Sequence, residues 1–352
     1  MYVSNLMGFE VFTTKENKDE LDKAAYSLIN IEQEPDRLVT VTDSFGNPVS
    51  AIAVNPGENI VLPTTTINNG NGPDRFDFRL TTVTDPTGVP VRTGHWEIII
   101  PRESLEELDR DSDQTFDVLM NVPETDIGAG LYTIDVTVTN VNGQQDEDLA
   151  NNSLNNSIMV IEYGEINSGK FQREYIYFKP SSAPENCPLV FVCHGYTGTA
   201  QGIMNYSEFN NLATEFGFAV CYPQGIEDSG GNTFFNVGYD FQNNETVDDV
   251  AFLEDLITLF SADNSIDPDK VFCTGMSNGG DFCYLLACEA SESFLGVAPI
   301  AGMIMQDIMD DCTPSQKVGI LEIHGTQDNV TYYDGDYNNQ DGWGAYPSIP
   351  AT

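Results

Sequence analysis

The chain has 352 residues, 40% hydrophobic and 11% aromatic, which is enough apolar material for two buried cores rather than one. Its formal net charge of −41 is spread along the chain: residues 1–165 carry 9 Lys/Arg against 29 Asp/Glu, and residues 166–352 carry 5 against 26. So acidic a surface repels other polyanions and argues against nucleic acid or an anionic membrane as partner.

The N-terminus lacks the basic, apolar and small-residue order of a signal peptide, so either a leader lies outside this chain or the protein is intracellular. No apolar run is long enough for a membrane span. The acidity itself suits a saline or calcium-rich extracellular setting, or cation binding. Residues 1–36 are polar and read as a linker or the remnant of an upstream segment, with a short helix-like piece around "KDELDKAAYSLIN".

From 37 to 163 the pattern is one of short β-rich runs punctuated by Asn, Gly, Pro and Asp. In "GLYTIDVTVTN", Leu131, Thr133, Asp135 and Thr137 alternate with Tyr132, Ile134, Val136 and Val138, as in a half-buried antiparallel strand. Seven such runs predict an all-β sandwich of immunoglobulin type. "INNGNG" and "NGQQDEDLANNSLNNS" resemble the turns of adhesion-type modules that accompany catalytic domains in secreted bacterial proteins. Their Asp/Asn cluster reads either as solvated turns or as a calcium site.

From 166 to 352 buried-type strands alternate with helical stretches: "CPLVFVCHG", "FAVCYPQG", "KVFCTG", "LGVAPIAG" and "VGILEIHG". That order predicts a mostly parallel sheet wrapped by helices. After "NNET", residues Val247, Val250, Leu253, Ile257 and Phe260 share one helical face, with Thr246 and Asp249 spaced as a capping box.

The segment "VFCTGMSNGGDFCYLLAC" sets Ser277 between a strand and an apolar helix, with Gly275 and Gly279 on either side. This G-x-S-x-G in strand and helix context reads as a nucleophile elbow; the alternative is a Gly-rich structural turn. The N–H of Asn278 would be one oxyanion donor, and the "HGYTG" loop would supply the other at Tyr196. His194 in that loop reads as a buried brace rather than a catalytic group. Asp328, just past "ILEIHG", is placed to orient an imidazole or is a solvated loop aspartate. Trp343 and Tyr346 either stack on a sugar or aryl group or simply pack. The seven cysteines form no C-x-x-C pair and no metal-type spacing with the three histidines, so no metal site is expected.

Together "PLVFVCHGYTGTA", "CYPQG", "VDDVAFLEDLI", "GMSNGGDFCYLLAC", "VAPIAG", "IHGTQDNV" and "GWGAYPSIPAT" resemble the polyhydroxybutyrate depolymerase and feruloyl or acetylxylan esterase group of α/β-hydrolases. The resemblance implies a secreted, cofactor-free serine esterase acting on polyesters or on acyl groups of plant polysaccharides. Ser277 matches the nucleophile, Asp328 the acid, and Tyr196 and Asn278 the oxyanion positions. It also implies a Cys288–Cys312 disulfide, hence an oxidising compartment. The departure lies in the base: this fold orders Ser, Asp, His, but His95, His194 and His324 all precede Asp328. Two readings follow, an esterase whose catalytic histidine lies outside this chain, and a non-catalytic surface or binding protein on a retained hydrolase scaffold.

Overall fold

The computed structural model describes residues 153–352 apart from 243, 263 and 264, and before them 5–6, 9–10, 26–29, 38–42, 48–68, 76–91, 96–99, 112–124 and 127–140. Two compact units divide the chain, Met1–Val160 and Ile161–Thr352. Most of the Asp/Asn cluster considered for calcium, and His95, lie outside the described residues.

The first unit contains a six-stranded and a four-stranded sheet. The larger runs in the order Leu38–Thr42, Pro48–Val54, Ser153–Val160, Gly130–Asn140, Phe76–Thr84 and Pro90–Val91. Its pairings are antiparallel except where Ser153–Val160 meets Pro48–Val54 in parallel. Tyr132, Ile134 and Val136 are buried and their alternates are not, as the two-residue period requires. Within the piece read as helix-like, Tyr26–Ile29 is instead a strand, paired antiparallel with Thr64–Ile67. Strand-forming side chains and ladder hydrogen bonds override a helical pattern too short to hold itself.

The second unit is built on seven strands: β1 (Glu162–Ser168), β2 (Phe171–Phe178), β3 (Cys187–Cys193), β4 (Ala219–Pro223), β5 (Ile266–Met276), β6 (Gly296–Ile300) and β7 (Gly319–Ile320). They lie in the order β1-β2-β4-β3-β5-β6-β7. The pairs are antiparallel as far as β2–β4 and parallel from there on. Five helices accompany them: α1 (Ala200–Ser207), α2 (Phe209–Phe216), α3 (Asp249–Ser261), α4 (Asn278–Glu289) and α5 (Gln306–Asp311). The central strands are buried on both faces, which is why β3 reads as the unbroken apolar run Leu189–Cys193.

Helix α3 buries Phe252, Leu253, Leu256, Ile257 and Phe260 against the sheet, while Val250 is half-buried and Val247 precedes the helix. Its cap corrects the capping-box expectation: Asp248, not Thr246, accepts the Ala251 N–H at 2.9 Å. Asp249 turns inward to a buried ion pair with Arg173 at 2.6 Å. Thr246 instead accepts a hydrogen bond from Lys170.

The run "VGILEIHG" also departs from expectation. Only Gly319–Ile320 pairs as a strand, and Ile320, Leu321 and Ile323 are 52%, 62% and 50% exposed. The segment is the edge of the sheet, so one apolar side has no partner among the described residues. A disulfide joins Cys288 at the end of α4 to Cys312 just after α5, whereas Cys187, Cys193, Cys221, Cys273 and Cys283 are buried free thiols.

Candidate active site

Ser277 occupies the single residue between β5 and α4, with φ 54° and ψ −121°. That left-handed conformation is strained for any residue with a Cβ and survives only where the surroundings fix it. Here the fixing is visible. The Ser277 N–H donates to the Ile300 carbonyl and the Asp281 N–H donates to the Ser277 carbonyl, both at 2.9 Å. A Cβ on Gly275 would stand 2.5 Å from the Gly279 carbonyl oxygen, and one on Gly279 would stand 2.4 Å from that of Cys193. Both glycines are therefore demanded by close backbone approach.

The loop after β3 lies against this serine. A Cβ on Gly195 would be 3.4 Å from the Ser277 Cβ and 3.9 Å from its Oγ, so Tyr196 follows a residue that lies against Ser277. Asn278 opens α4, where first-turn N–H groups have no intrahelical acceptor. Its side chain is fully buried and pairs with Phe235 twice, accepting the backbone N–H at 2.7 Å and donating to the carbonyl at 2.9 Å. The Asn278 side-chain amide is thereby committed to Phe235.

His194 is buried, with Nε2 accepting the Gly225 N–H at 2.9 Å and Nδ1 facing the Gly195 carbonyl at 2.8 Å. The tautomer is thereby the Nδ1-protonated neutral one. Burial pushes its pKa down to about 4. It braces the loop.

Upstream of Asp328, Ile323 is tied to the loop beside Ser277: Ala301, next to the carbonyl that holds Ser277, donates its N–H to the Ile323 carbonyl at 2.9 Å. The Asp328 Oδ1 accepts the N–H groups of Val330 and Thr331 at 2.9 and 3.0 Å. Its Oδ2 lies 3.8 Å from the His324 Nε2. The His324 ring is committed elsewhere, with Nδ1 3.0 Å from the Glu322 carboxylate and Nε2 2.9 Å from the Thr331 carbonyl. Glu322 in turn accepts from the Tyr284 hydroxyl on α4 at 2.6 Å.

Of the two aromatic residues after Asp328, Trp343 stays partly accessible, but Tyr346 is 1% exposed and its hydroxyl accepts the Tyr332 N–H at 3.0 Å. Of the two readings left open for Tyr346, substrate stacking and packing, this burial fits packing. Three residues not foreseen from sequence stand around Tyr196. Asp228 accepts the Tyr196 hydroxyl at 2.7 Å and the Gln242 amide at 2.8 Å. Burial pushes Asp228 up, but donors from Asn232, Tyr196, Gln242 and Gly230 outweigh it and hold the carboxyl at about 2. Burial and the Asp228 carboxylate raise the Tyr196 phenol to about 12. Phe241 packs with Tyr196 and Trp343, and Tyr239 packs with Phe241 and Trp343. In sequence "EDSGGN" and "GYDFQ" look like turn chemistry, so only the fold reveals their association. Among the described residues no group of three or more His, Cys, Asp or Glu could hold a metal ion.

The signature of the family described as Esterase PHB depolymerase matches residues 173–351, half of the chain, and the protein belongs to that family. Among its relatives, the feruloyl esterase B of Piromyces equi is 29% identical over 150 residues, covering 42% of this chain and 27% of the relative. The poly(3-hydroxyalkanoate) depolymerase C of Paucimonas lemoignei is 32% identical over 123 residues, covering 35% and 30%. An acetyl xylan esterase structure from Aspergillus awamori is 21% identical, covering 41% of this chain and 53% of that one, with a TM-score of 0.34. The chain spans less than a third of the length of either relative named.

Proposed function

We propose that the second unit is the body of a serine esterase that hydrolyses carboxylic esters of polyesters or of acylated plant polysaccharides through an acyl-enzyme. The Ser277 Oγ attacks the ester carbonyl while its proton passes to a histidine, and the N–H groups of Tyr196 and Asn278 hold the tetrahedral oxyanion. The alkoxide leaves with that proton, and water repeats the sequence on the acyl-serine. Asp328 orients and stabilises the imidazolium. The observation that carries this reading is the strained φ of 54° at Ser277, maintained against the Gly195–Tyr196 loop.

The histidine is assigned to a position outside residues 1–352. Both imidazoles of the second unit are engaged with Gly225, Gly195, Glu322 and Thr331, and the apolar edge at Ile320–Ile323 suits a further strand. The engagement of both imidazoles is what favours the second reading, a non-catalytic scaffold, if nothing supplies a base. The first unit is read as an immunoglobulin-like module of residues 37–163 that contacts carbohydrate or a cell surface, and the Cys288–Cys312 bridge suits a secreted protein. Among the described residues no helix is long and apolar enough to cross a membrane.

The test is hydrolysis of a p-nitrophenyl ester panel extended to feruloyl, acetylxylan and hydroxybutyrate substrates, using the coding sequence read past codon 352. Ser277-dependent turnover supports the esterase. A stop codon at 353 together with no turnover supports the scaffold.

A further inference from the structure

Residues 318–352 hold five Asp/Glu and no Lys or Arg, so His324 is their one side chain able to carry a positive charge. That side chain is 1% exposed and meets acceptors at both ring nitrogens. Nε2 faces the Thr331 carbonyl at 2.9 Å and therefore bears a hydrogen. Nδ1 faces a Glu322 oxygen at 3.0 Å. The other Glu322 oxygen accepts the Tyr284 hydroxyl at 2.6 Å, a length typical of an O–H donor on an ionised carboxylate. Burial and the Glu322 carboxylate raise the Tyr284 phenol, which keeps it the donor. An ionised Glu322 has only lone pairs to offer, so Nδ1 bears a hydrogen too. The ring is then an imidazolium, and with Glu322 it makes a pair of no net charge.

We propose that His324 is a positioning residue for Asp328, held as an imidazolium by Glu322 and Tyr284 and itself holding the turn that presents the acid. The hold acts through Thr331. His324 fixes the Thr331 carbonyl, while the Thr331 N–H, together with that of Val330, fixes the Asp328 Oδ1. The Asp328 N–H closes the turn on the Gly325 carbonyl at 3.1 Å. The Asp328 Oδ2 makes no hydrogen bond among the described residues and lies 3.8 Å from the His324 Nε2, so the cation draws it without consuming it. Because the Glu322–His324 pair is neutral as a whole, it steers the Asp328 carboxylate and leaves its charge for a second imidazole. Tyr284 gives the chain its other anchor. It sits on α4, the helix that begins next to Ser277, so one element carries the nucleophile and, through Glu322 and His324, sets the acid.

This role rests on the esterase reading for its purpose, so two of its three readouts do not involve turnover. NMR of residues 1–352 with nitrogen-labelled histidine, the His324 ring assigned by His324→Gln, should show two protonated nitrogens at His324 and one at His194 at about pH 7. Glu322→Gln should leave His324 with a single protonated nitrogen. It should also speed amide exchange of Val330 and Thr331 roughly tenfold relative to β5. In the coding sequence read past codon 352, Glu322→Gln should lower kcat about tenfold at unchanged KM, the mark of a lost transition-state alignment. Tyr284→Phe, which removes only the hydroxyl, should move all three readouts the same way by less. A bare ring nitrogen at His324 in the wild type, Val330 and Thr331 exchange indifferent to Glu322→Gln, or an unchanged kcat overturns the positioning role. Absence of Ser277-dependent turnover in the extended chain sinks the esterase reading separately, and the ring and exchange results still decide whether His324 holds the turn.

Discussion

At Ser277 backbone strain and proposed chemistry coincide. A serine held at φ 54° pays a conformational cost of about 1–3 kcal/mol that glycine does not. Ser277→Gly is therefore expected to melt higher than the wild type, while Ser277→Ala keeps the Cβ and should not. Equal melting temperatures for the two variants would show the turn to be relaxed. His194 gives a second prediction, in pH. Its folded pKa of about 4 lies below the unfolded value of 6.5, so the neutral form is the one the fold prefers. Its contribution is fully present above pH 6.5 and is lost as pH falls toward 4, by roughly 3 kcal/mol. Urea midpoints between pH 7 and 4 should fall less steeply in His194→Gln; an unchanged slope would contradict the buried neutral imidazole. Ser277 and Gly275 were legible in sequence because an elbow needs a fixed local pattern. Which of its two readings applies to Tyr346 was not legible, because burial is a property of the assembled fold and nothing in "GAYPSIP" announces it.

Between elements, buried carboxylates do much of the fastening. Asp281, in the first turn of α4, accepts the Met303 N–H at 2.6 Å and also the Tyr239 hydroxyl. Burial raises its pKa from 3.8 to about 7, so the sign is opposite to that of His194. Stability falls as pH rises from about 4 to about 7, because ionising Asp281 costs more folded than unfolded. Asp281→Asn should remove that slope and raise the urea midpoint at pH 8; a lowered midpoint there would show that the charged form is the favoured one. Arg173 and Asp249 tie β2 to α3 at 2.6 Å with both side chains buried. Removing either partner strands a charge and should cost about 3–5 kcal/mol, while Arg173→Met with Asp249→Leu should recover much of it. The α3 cap was misassigned for this same reason, since a tertiary partner for Asp249 cannot be read from local spacing. The alternation of β3 to β6 with helices was legible, because strands buried on both faces read as apolar runs. The β7 run was apolar too, and only the topology shows it at an exposed edge.

On the scale of the whole molecule, a net charge of −41 means that folding compacts like charges against one another. Raising the ionic strength from about 0.01 to about 0.5 M screens that repulsion and should raise the melting temperature. A melting temperature that falls with salt would mean that ion pairs such as Lys270–Asp267 outweigh the net repulsion.

In the proposed reading Ser277 is the nucleophile and neither His194 nor His324 is its base. The most direct measurement is p-nitrophenyl butyrate hydrolysis by residues 1–352, by the coding sequence read past that point, and by the latter carrying Ser277→Ala. The prediction is trace turnover by residues 1–352, activity restored by the extension, and a loss of about a thousandfold or more on Ser277→Ala. Robust turnover by residues 1–352 that disappears in His324→Ala or His194→Ala would contradict it, as would an extended protein indifferent to Ser277→Ala.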